Sequence, residues 1–133
     1  MESCGKGRIL VVDDDAAICS LLSDMFSDSY QVDTATCAQE ALARFRPGRY
    51  DVAVIDLSLP QLTGDKLARE GARIDPSLAS VLLTGWSCLK DDTDVEAFDF
   101  VVKKPFDIDE ISEVMSKAMD IHKARMRLGR CTA

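Results

Sequence analysis

The length, composition and charge of the chain indicate one globular unit and exclude several classes of protein. The chain has 133 residues, of which 47% are hydrophobic and 29% are charged, as expected for a single domain with one core. Its net charge of −7 argues against direct nucleic-acid binding, and its sequence contains neither a signal peptide nor an apolar run long enough to cross a membrane.

The cysteines indicate a reducing compartment. All five are scattered along the chain, and no two are spaced as Cys-x-x-Cys. This pattern predicts neither a zinc site nor a disulfide framework. We therefore expect reduced thiols in a cytoplasmic protein that is neither secreted nor inserted into a membrane.

The first half of the chain alternates between strand and helix patterns. Ile9–Val12 is an unbroken apolar run, which is typical of a parallel strand buried on both faces. A weaker strand, Tyr30–Thr34, alternates between apolar and polar residues. A helix is predicted after Thr36, because Thr36 and Gln39 match a capping box. Another helix is predicted between the two strands, where apolar residues recur at helical spacing: Ala17, Ile18, Leu21, Leu22 and Met25.

The second half continues the same alternation. Asp75-Pro76 marks the end of a helix, and the Asp-rich segment 87–96 predicts a short, mobile helix. Asp107 and Glu110 match a second capping box, so the last helix is predicted from residue 108 to about Met126. Three further apolar runs predict buried strands: Val52–Ile55, Val81–Leu83 and Phe100–Val102.

A strand followed by a helix, five times over, predicts a doubly wound five-stranded parallel α/β sheet flanked by helices. We expect one domain over residues 8–126, flexible ends at 1–7 and 127–133, and no effector domain. In this architecture ligands bind at the carboxyl ends of the strands, near the point where the strand order reverses. The strand ends are therefore where chemistry is expected.

Polar residues leave each central strand of the predicted sheet. Any one of them alone is more typical of a turn or a helix cap than of a functional site. Their convergence on one edge of one sheet has no evident structural cause, and it therefore favours a site. The residues are Asp13 and Asp14 after the first strand, Asp56 after the third, Thr84 after the fourth and Lys104 after the fifth.

The chemistry of this set predicts a metal-assisted phosphoryl acceptor. Carboxylates from different strands repel one another unless a divalent cation lies among them, and Mg²⁺ or Mn²⁺ suits oxygen ligands and substrate phosphate. An aspartate can act as the nucleophile when metal, ammonium and hydroxyl groups meet the charge of the phosphoryl oxygens. We expect Asp13 and Asp14 to hold the metal beside Asp56, with Lys104 and Thr84 facing the phosphoryl group.

Four sequence motifs resemble the signatures of bacterial response-regulator receiver domains, which have a flavodoxin-like fold similar to CheY. The motifs occur in the family's order, and the resemblance as a whole covers the chain from about Arg8 to Lys123. The motifs are Ile9-Leu10-Val11-Val12-Asp13-Asp14-Asp15, Asp56-Leu57-Ser58-Leu59-Pro60-Gln61-Leu62-Thr63-Gly64, Leu82-Leu83-Thr84-Gly85-Trp86 and Lys103-Lys104-Pro105-Phe106.

The resemblance implies a switch in two-component signalling. In the family, a phosphohistidine of a sensor histidine kinase or phosphotransfer protein passes its phosphoryl group to the aspartate that matches Asp56, with Mg²⁺ required. The carbonyl of Ser58 then matches a further metal ligand, Thr84 the switch hydroxyl and Lys104 the phosphate-binding lysine. Pro105 is expected to follow a cis peptide bond. A downstream protein target and a monomer or weak dimer are also expected.

The sequence departs from the family at the position three residues before the conserved lysine. Many receivers have an aromatic residue there, whereas this chain has Val101. Phe100 is its neighbour, but a one-residue offset in a strand points a side chain to the opposite face. A register with Lys103 as the conserved lysine is the alternative to Lys104. Because of Val101, we expect the output not to use the usual signalling face in the family's common way. Ser58 and Trp86 flank the site and are expected to tune phosphate lifetime.

Two other functions fit parts of the sequence. A phosphatase resembling the haloacid dehalogenases would use Asp13 as its nucleophile, because Asp13-Asp14-Asp15 after an apolar strand can be read as Asp-x-Asp. An adaptor receiver would keep the fold and bind proteins without being phosphorylated. The dehalogenase interpretation leaves Asp56 without a role, and the adaptor interpretation leaves the whole polar set without one.

Overall fold

The structure of the protein is a computed structural model that describes residues 7–57, 59, 62–85 and 95–132, with side chains described as far as 127. The predictions made for Ser58 and Trp86 lie outside the described residues, as does most of the predicted helix at 87–96. Within the part described, no helix is long and apolar enough to cross a membrane.

Five parallel strands form one sheet in the order β2-β1-β3-β4-β5. This arrangement confirms the predicted fold class. After β2 the chain crosses back over β1 to form β3, so the strand order reverses between β1 and β3. In folds of this kind ligands bind at the carboxyl ends of the strands beside such a reversal. The strands are β1 (Gly7–Val12), β2 (Tyr30–Ala35), β3 (Val52–Asp56), β4 (Ala79–Thr84) and β5 (Phe100–Lys103).

In the part of the chain that the structure describes, four α-helices cover the two faces of the sheet. Helices α1 and α4 pack against one face, and α2 and α3 pack against the other. Between β4 and β5 the described residues contain a 3-10 helix at Val95–Ala97. The α-helices are α1 (Ala16–Phe26), α2 (Ala38–Arg44), α3 (Gly64–Ile74) and α4 (Ile108–Thr132).

The unbroken apolar strands divide their side chains between two cores. Leu10 and Val12 point to the α2 and α3 side, whereas Ile9 and Val11 point to the α1 and α4 side. Successive side chains of a strand point to opposite faces, so a strand covered on both sides must be apolar at every position. All four of these residues are fully buried.

The start of α2 differs from the prediction. The helix begins at Ala38 with Cys37 as its N-cap, and Thr36 pairs with Glu40 instead of Gln39. The backbone N–H of Thr36 donates to Glu40 Oε1 at 2.9 Å, and the Thr36 hydroxyl lies 3.4 Å from the same oxygen. Because the helix starts later than predicted, the side chain that pairs with Thr36 is one residue further along the chain.

Of the predictions for the two ends of α4, one was confirmed and one was wrong. At its start Asp107 Oδ1 accepts the backbone N–H of Glu110 at 2.7 Å, as the capping pattern predicted. At its end the helix continues through Gly129 to Thr132, so the predicted boundary near Met126 was wrong. A single glycine costs a helix only about 1 kcal/mol relative to alanine, which is too little to end it.

Candidate functional site

Three carboxylates meet at the carboxyl ends of β1 and β3. Asp13 and Asp14 follow β1, and Asp56 is the last residue of β3. One oxygen from each carboxylate lies within 4.8 Å of the others. Asp13 and Asp56 are buried, whereas Asp14 is exposed, so the cluster opens to solvent on the side of Asp14.

Lys104 places an ammonium group between two of these carboxylates. Its Nζ lies 3.0 Å from Asp13 Oδ2 and 3.4 Å from Asp56 Oδ1. Lys104 directly follows the last residue of β5, Lys103. The next peptide bond, between Lys104 and Pro105, is cis, as expected. Of the two lysines considered in the sequence, the structure thus places Lys104 against the carboxylates.

Burial and charge together perturb the pKa values of this group. Burial raises the pKa of Asp56, and the negative charge of Asp13 raises it further, although Lys104 partly offsets both effects. Burial opposes the charged form of Lys104, but its hydrogen bonds to Asp13 and Asp56 outweigh that and raise the pKa of the ammonium. The cluster therefore has more negative charge than one lysine neutralises.

The backbone around Asp13 is fixed by contacts that the sequence interpretation missed. Asp13 Oδ1 accepts the backbone N–H of Asp15 at 2.9 Å, and the Asp13 N–H donates to the carbonyl of Ala35 at 3.0 Å. The buried thiol of Cys19 donates to the Asp13 carbonyl at 3.3 Å. Asp15 is the N-cap of α1, and its side chain accepts the backbone N–H of Ala17. The position of Asp15 just before a helical pattern could have indicated this cap, whereas nothing in the sequence indicated the contact of Cys19.

Gly64 allows α3 to approach the carboxyl end of β3 closely. Its N–H donates to the carbonyl of Leu57 at 3.0 Å. A Cβ at this position would lie 2.5 Å from the carbonyl oxygen of Asp56 and 2.9 Å from the Cα of Leu57. Any larger residue would push the start of α3 away from Asp56, so glycine is required here for a steric reason.

Thr84 and Val101 lie on strands beside the carboxylates. Thr84 ends β4 and is fully buried, and within the described residues its hydroxyl donates to the carbonyl of Gly85 at 3.1 Å, not to a carboxylate. Val101 is 41% exposed on β5, whereas Phe100 packs into the core on the α1 and α4 side. The two side chains therefore point to opposite faces, as the strand periodicity predicted.

The donor set fits a hard divalent cation. Asp13, Asp14 and Asp56 offer only carboxylate oxygens, which suit Mg²⁺ better than a soft metal that prefers sulfur or nitrogen. The raised pKa of Asp56 reflects burial and repulsion, which a bound cation would relieve. The exposed side at Asp14 leaves room for the water ligands that Mg²⁺ usually keeps.

The chain belongs to the response regulator receiver domain family, whose model matches residues 9–116. Members of this family are the receiver domains of two-component response regulators, and this membership is consistent with phosphorylation-dependent signalling. Receiver domains are signalling domains and are generally not classed as enzymes.

Individual relatives agree with the family match. The chain is 31% identical over 121 residues to the transcriptional regulatory protein ZraR of Salmonella typhimurium, covering 86% of this chain but 27% of ZraR. The chain therefore spans only about a quarter of the length of ZraR and of the similar regulatory protein AtoC of Escherichia coli.

Solved structures show the same fold. The response regulator TrrA from Thermotoga maritima, in complex with Mg(2+)-BeF, is 35% identical, with a TM-score of 0.75 over 84% of this chain and 98% of TrrA. A CheY-like receiver domain protein from Methanospirillum hungatei is 26% identical, with a TM-score of 0.82 over 90% of this chain and 98% of its own.

Proposed function

We propose that the protein is a phosphorylation switch whose phosphoryl acceptor is Asp56. The observation that carries the proposal is the contact of Lys104 with both Asp13 and Asp56, beside a third carboxylate from Asp14. A lysine and three carboxylates at a strand-order reversal supply a nucleophile, a cation for phosphoryl oxygens and a set of metal ligands.

The residues divide the reaction between them. A carboxylate oxygen of Asp56 attacks phosphorus, the bond from phosphorus to the donor nitrogen breaks, and the electron pair leaves with the imidazole of the phosphohistidine. Lys104 lies close enough to pair with a phosphoryl oxygen on Asp56. The Thr84 hydroxyl would reach the phosphoryl group by exchanging its bond to Gly85 for a new one.

Asp13, Asp14 and Asp56 are the residues that would hold Mg²⁺ or Mn²⁺, together with the carbonyl of Ser58 if it takes the family's role. The ion supplies positive charge that stabilises the charge developing on the transferred group. Asp13 Oδ2 is shared with Lys104, and Asp13 Oδ1 already accepts a backbone N–H. Asp14 has the most open carboxylate of the three and is the favoured direct ligand.

The partners follow from this role. We propose a sensor histidine kinase or a phosphotransfer protein as the phosphoryl donor and a protein as the downstream target, in the cytoplasm. TrrA was solved in complex with Mg(2+)-BeF, and its similarity to this chain supports a bound metal here. ZraR is a transcriptional regulatory protein, but this chain matches only 27% of it.

The test is chemical phosphorylation with acetyl phosphate and Mg²⁺, followed by intact-protein mass spectrometry. We expect a base-labile mass increase of one phosphoryl group in the natural protein and in Asp120→Asn, a control at an exposed position on α4. Asp56→Asn should show none. Omitting Mg²⁺ should abolish the increase.

The same experiment separates the alternatives. Modification that maps to Asp13 would contradict the proposal and support a dehalogenase-like phosphatase. No modification of the natural protein, with Mg²⁺ present and the fold verified by circular dichroism, would support an adaptor that is not phosphorylated. Full burial of Asp13 and the pairing of both its oxygens argue against its use as a nucleophile.

A further inference from the structure

The C-terminal half of α4 is fastened to the amino edge of the sheet, at the end opposite the carboxylates. His122 and Arg125 lie about one helical turn apart and reach the segments that enter β3, β4 and β5. Their carboxylate partners are Asp51, before β3, and Asp99, before β5. We call these four residues the amino-edge clamp.

His122 must be doubly protonated to make both of its contacts. Its Nδ1 lies 2.9 Å from the carbonyl oxygen of Ser77, and its Nε2 lies 2.9 Å from Asp51 Oδ1. A carbonyl and a carboxylate only accept hydrogen bonds, so both ring nitrogens have to donate. His122 is 7% exposed, so water cannot readily replace a lost partner.

The charged groups around His122 favour its positive form. Asp51 keeps its charge because its other oxygen accepts the backbone N–H of Arg8 at 3.0 Å. Asp75, from the loop after α3, also acts on the ring, and the donors to its own carboxylate are neutral groups of Gly48 and Ser77.

Arg125, a cation on the same helix as His122, is already paired. It donates to both oxygens of Asp99, at 2.6 and 3.0 Å, and to the carbonyl of Leu78 at 2.8 Å. The guanidinium of arginine stays charged over the whole useful pH range. The clamp therefore combines one contact that can titrate with one that cannot.

We propose that His122 makes the docking of the C-terminal half of α4 on the sheet depend on pH. A neutral ring has one donor for two acceptors, so losing a proton leaves either the Ser77 carbonyl or Asp51 Oδ1 without its hydrogen bond from His122. The helix end is then held mainly by Arg125, and it opens more often. The amino-edge clamp lies at the opposite end of the sheet from the carboxylate cluster.

The direction of the pH effect follows from the two pKa values. The hydrogen bond to Asp51 raises the pKa of His122 above its ordinary value of 6.5, against the opposing effect of burial. Burial acts to raise the pKa of Asp51, but the bonds from His122 and Arg8 outweigh it and lower that pKa. The contribution from His122 is complete below pH 6.5 and is lost as the pH rises through the raised pKa.

His122 is the only histidine of the chain, so its titration can be followed without assignment. We expect nitrogen-15 and proton NMR of the ring to show a pKa above 6.5, with both nitrogens protonated at pH 6. Asp51→Asn should lower that pKa, because it removes the charge that favours the imidazolium. A pKa at or below 6.5 in the natural protein would overturn the proposal.

Amide hydrogen exchange then tests the docking itself. After correction for intrinsic rates, exchange in residues 118–127 should speed up by about tenfold as His122 loses its proton, the expected effect of losing one charge-assisted hydrogen bond. Arg125→Gln, the matched control, should exchange faster at every pH and keep the pH dependence. His122→Gln should lose the pH dependence.

Two exchange results would contradict the proposal. One is protection of residues 118–127 that does not change across the titration of His122. The other is the same pH dependence in His122→Gln as in the natural protein. If His122→Gln fails to fold, Asp51→Asn serves instead, and the exchange transition should move to lower pH together with the ring pKa.

Discussion

At the scale of single residues, Asp56 combines burial with closeness to another negative charge. Both effects raise its pKa, and Lys104 offsets them only in part. A carboxylate kept ionised in such a place costs folding free energy, because water no longer solvates it and Asp13 repels it. The burial of Asp56 and its closeness to Asp13 therefore work against the stability of the metal-free protein.

This conflict predicts that Asp56→Asn is more stable than the natural protein. Without Mg²⁺ at pH 7, we expect the free energy of unfolding in urea to rise by about 1 to 2 kcal/mol. An acid with a raised folded-state pKa is penalised above that pKa and not below its ordinary value of 3.8, so the gain should shrink as the pH falls.

The control for this stability measurement is Asp120→Asn, which removes an exposed carboxylate from α4 and should change the stability by less than about 0.5 kcal/mol. If Asp56→Asn proves less stable than the natural protein at pH 7, then attraction to Lys104 outweighs burial and repulsion, and the electrostatic account of the cluster is wrong.

At the scale of secondary-structure elements, α4 is held at its start and in its C-terminal half by different contacts. Asp107 caps its start, and the amino-edge clamp holds its far half. Between them, a stripe of buried apolar residues packs on the sheet: Ile111, Met115, Ala118 and Met119. The start of the helix lies beside the carboxyl edge of the sheet, and its C-terminal half lies at the amino edge.

The cap of α4 can be tested by substitution. Asp107→Ala removes the acceptor for the Glu110 N–H and should lower the free energy of unfolding by about 1 kcal/mol. Asp107→Asn keeps an acceptor oxygen and should restore most of that loss. Urea unfolding at neutral pH measures both variants. Equal losses in the two would show that the negative charge, and not the hydrogen bond, stabilises the helix start.

At the scale of the whole molecule, binding of Mg²⁺ should stabilise the fold, because the ligands come together only in the folded chain. At a Mg²⁺ concentration of 100 times its dissociation constant, we expect a gain of about 2.7 kcal/mol in the free energy of unfolding. Thermal unfolding in a MgCl₂ series measures the gain, and chelation with EDTA should reverse it.

Sodium chloride at matched ionic strength is the control for the Mg²⁺ series, because general screening also relieves repulsion between carboxylates. Asp14→Asn should reduce the gain by weakening the metal site at its open side. A rise in melting temperature that sodium chloride reproduces in full would argue against a specific metal site.

The sequence by itself determined the fold class and the residues most worth examining. Unbroken apolar runs such as Ile9–Val12 indicate strands covered on both faces, since only a doubly covered strand needs apolar residues at every position. The polar residues that end these strands meet because parallel strands share one carboxyl edge. These signals are local, so they can be found without knowing how distant segments pack.

Only the tertiary structure decided what depends on distant contacts. Lys104 meets Asp13 across 91 residues of sequence. His122 on α4 meets Asp51, although three strands and a helix lie between them in the chain. In the sequence His122 has no partner motif, and nothing marks Gly64 as lying against the backbone of Asp56. Such roles are set by the packing of separate elements, and the residue pattern of any one element does not contain them.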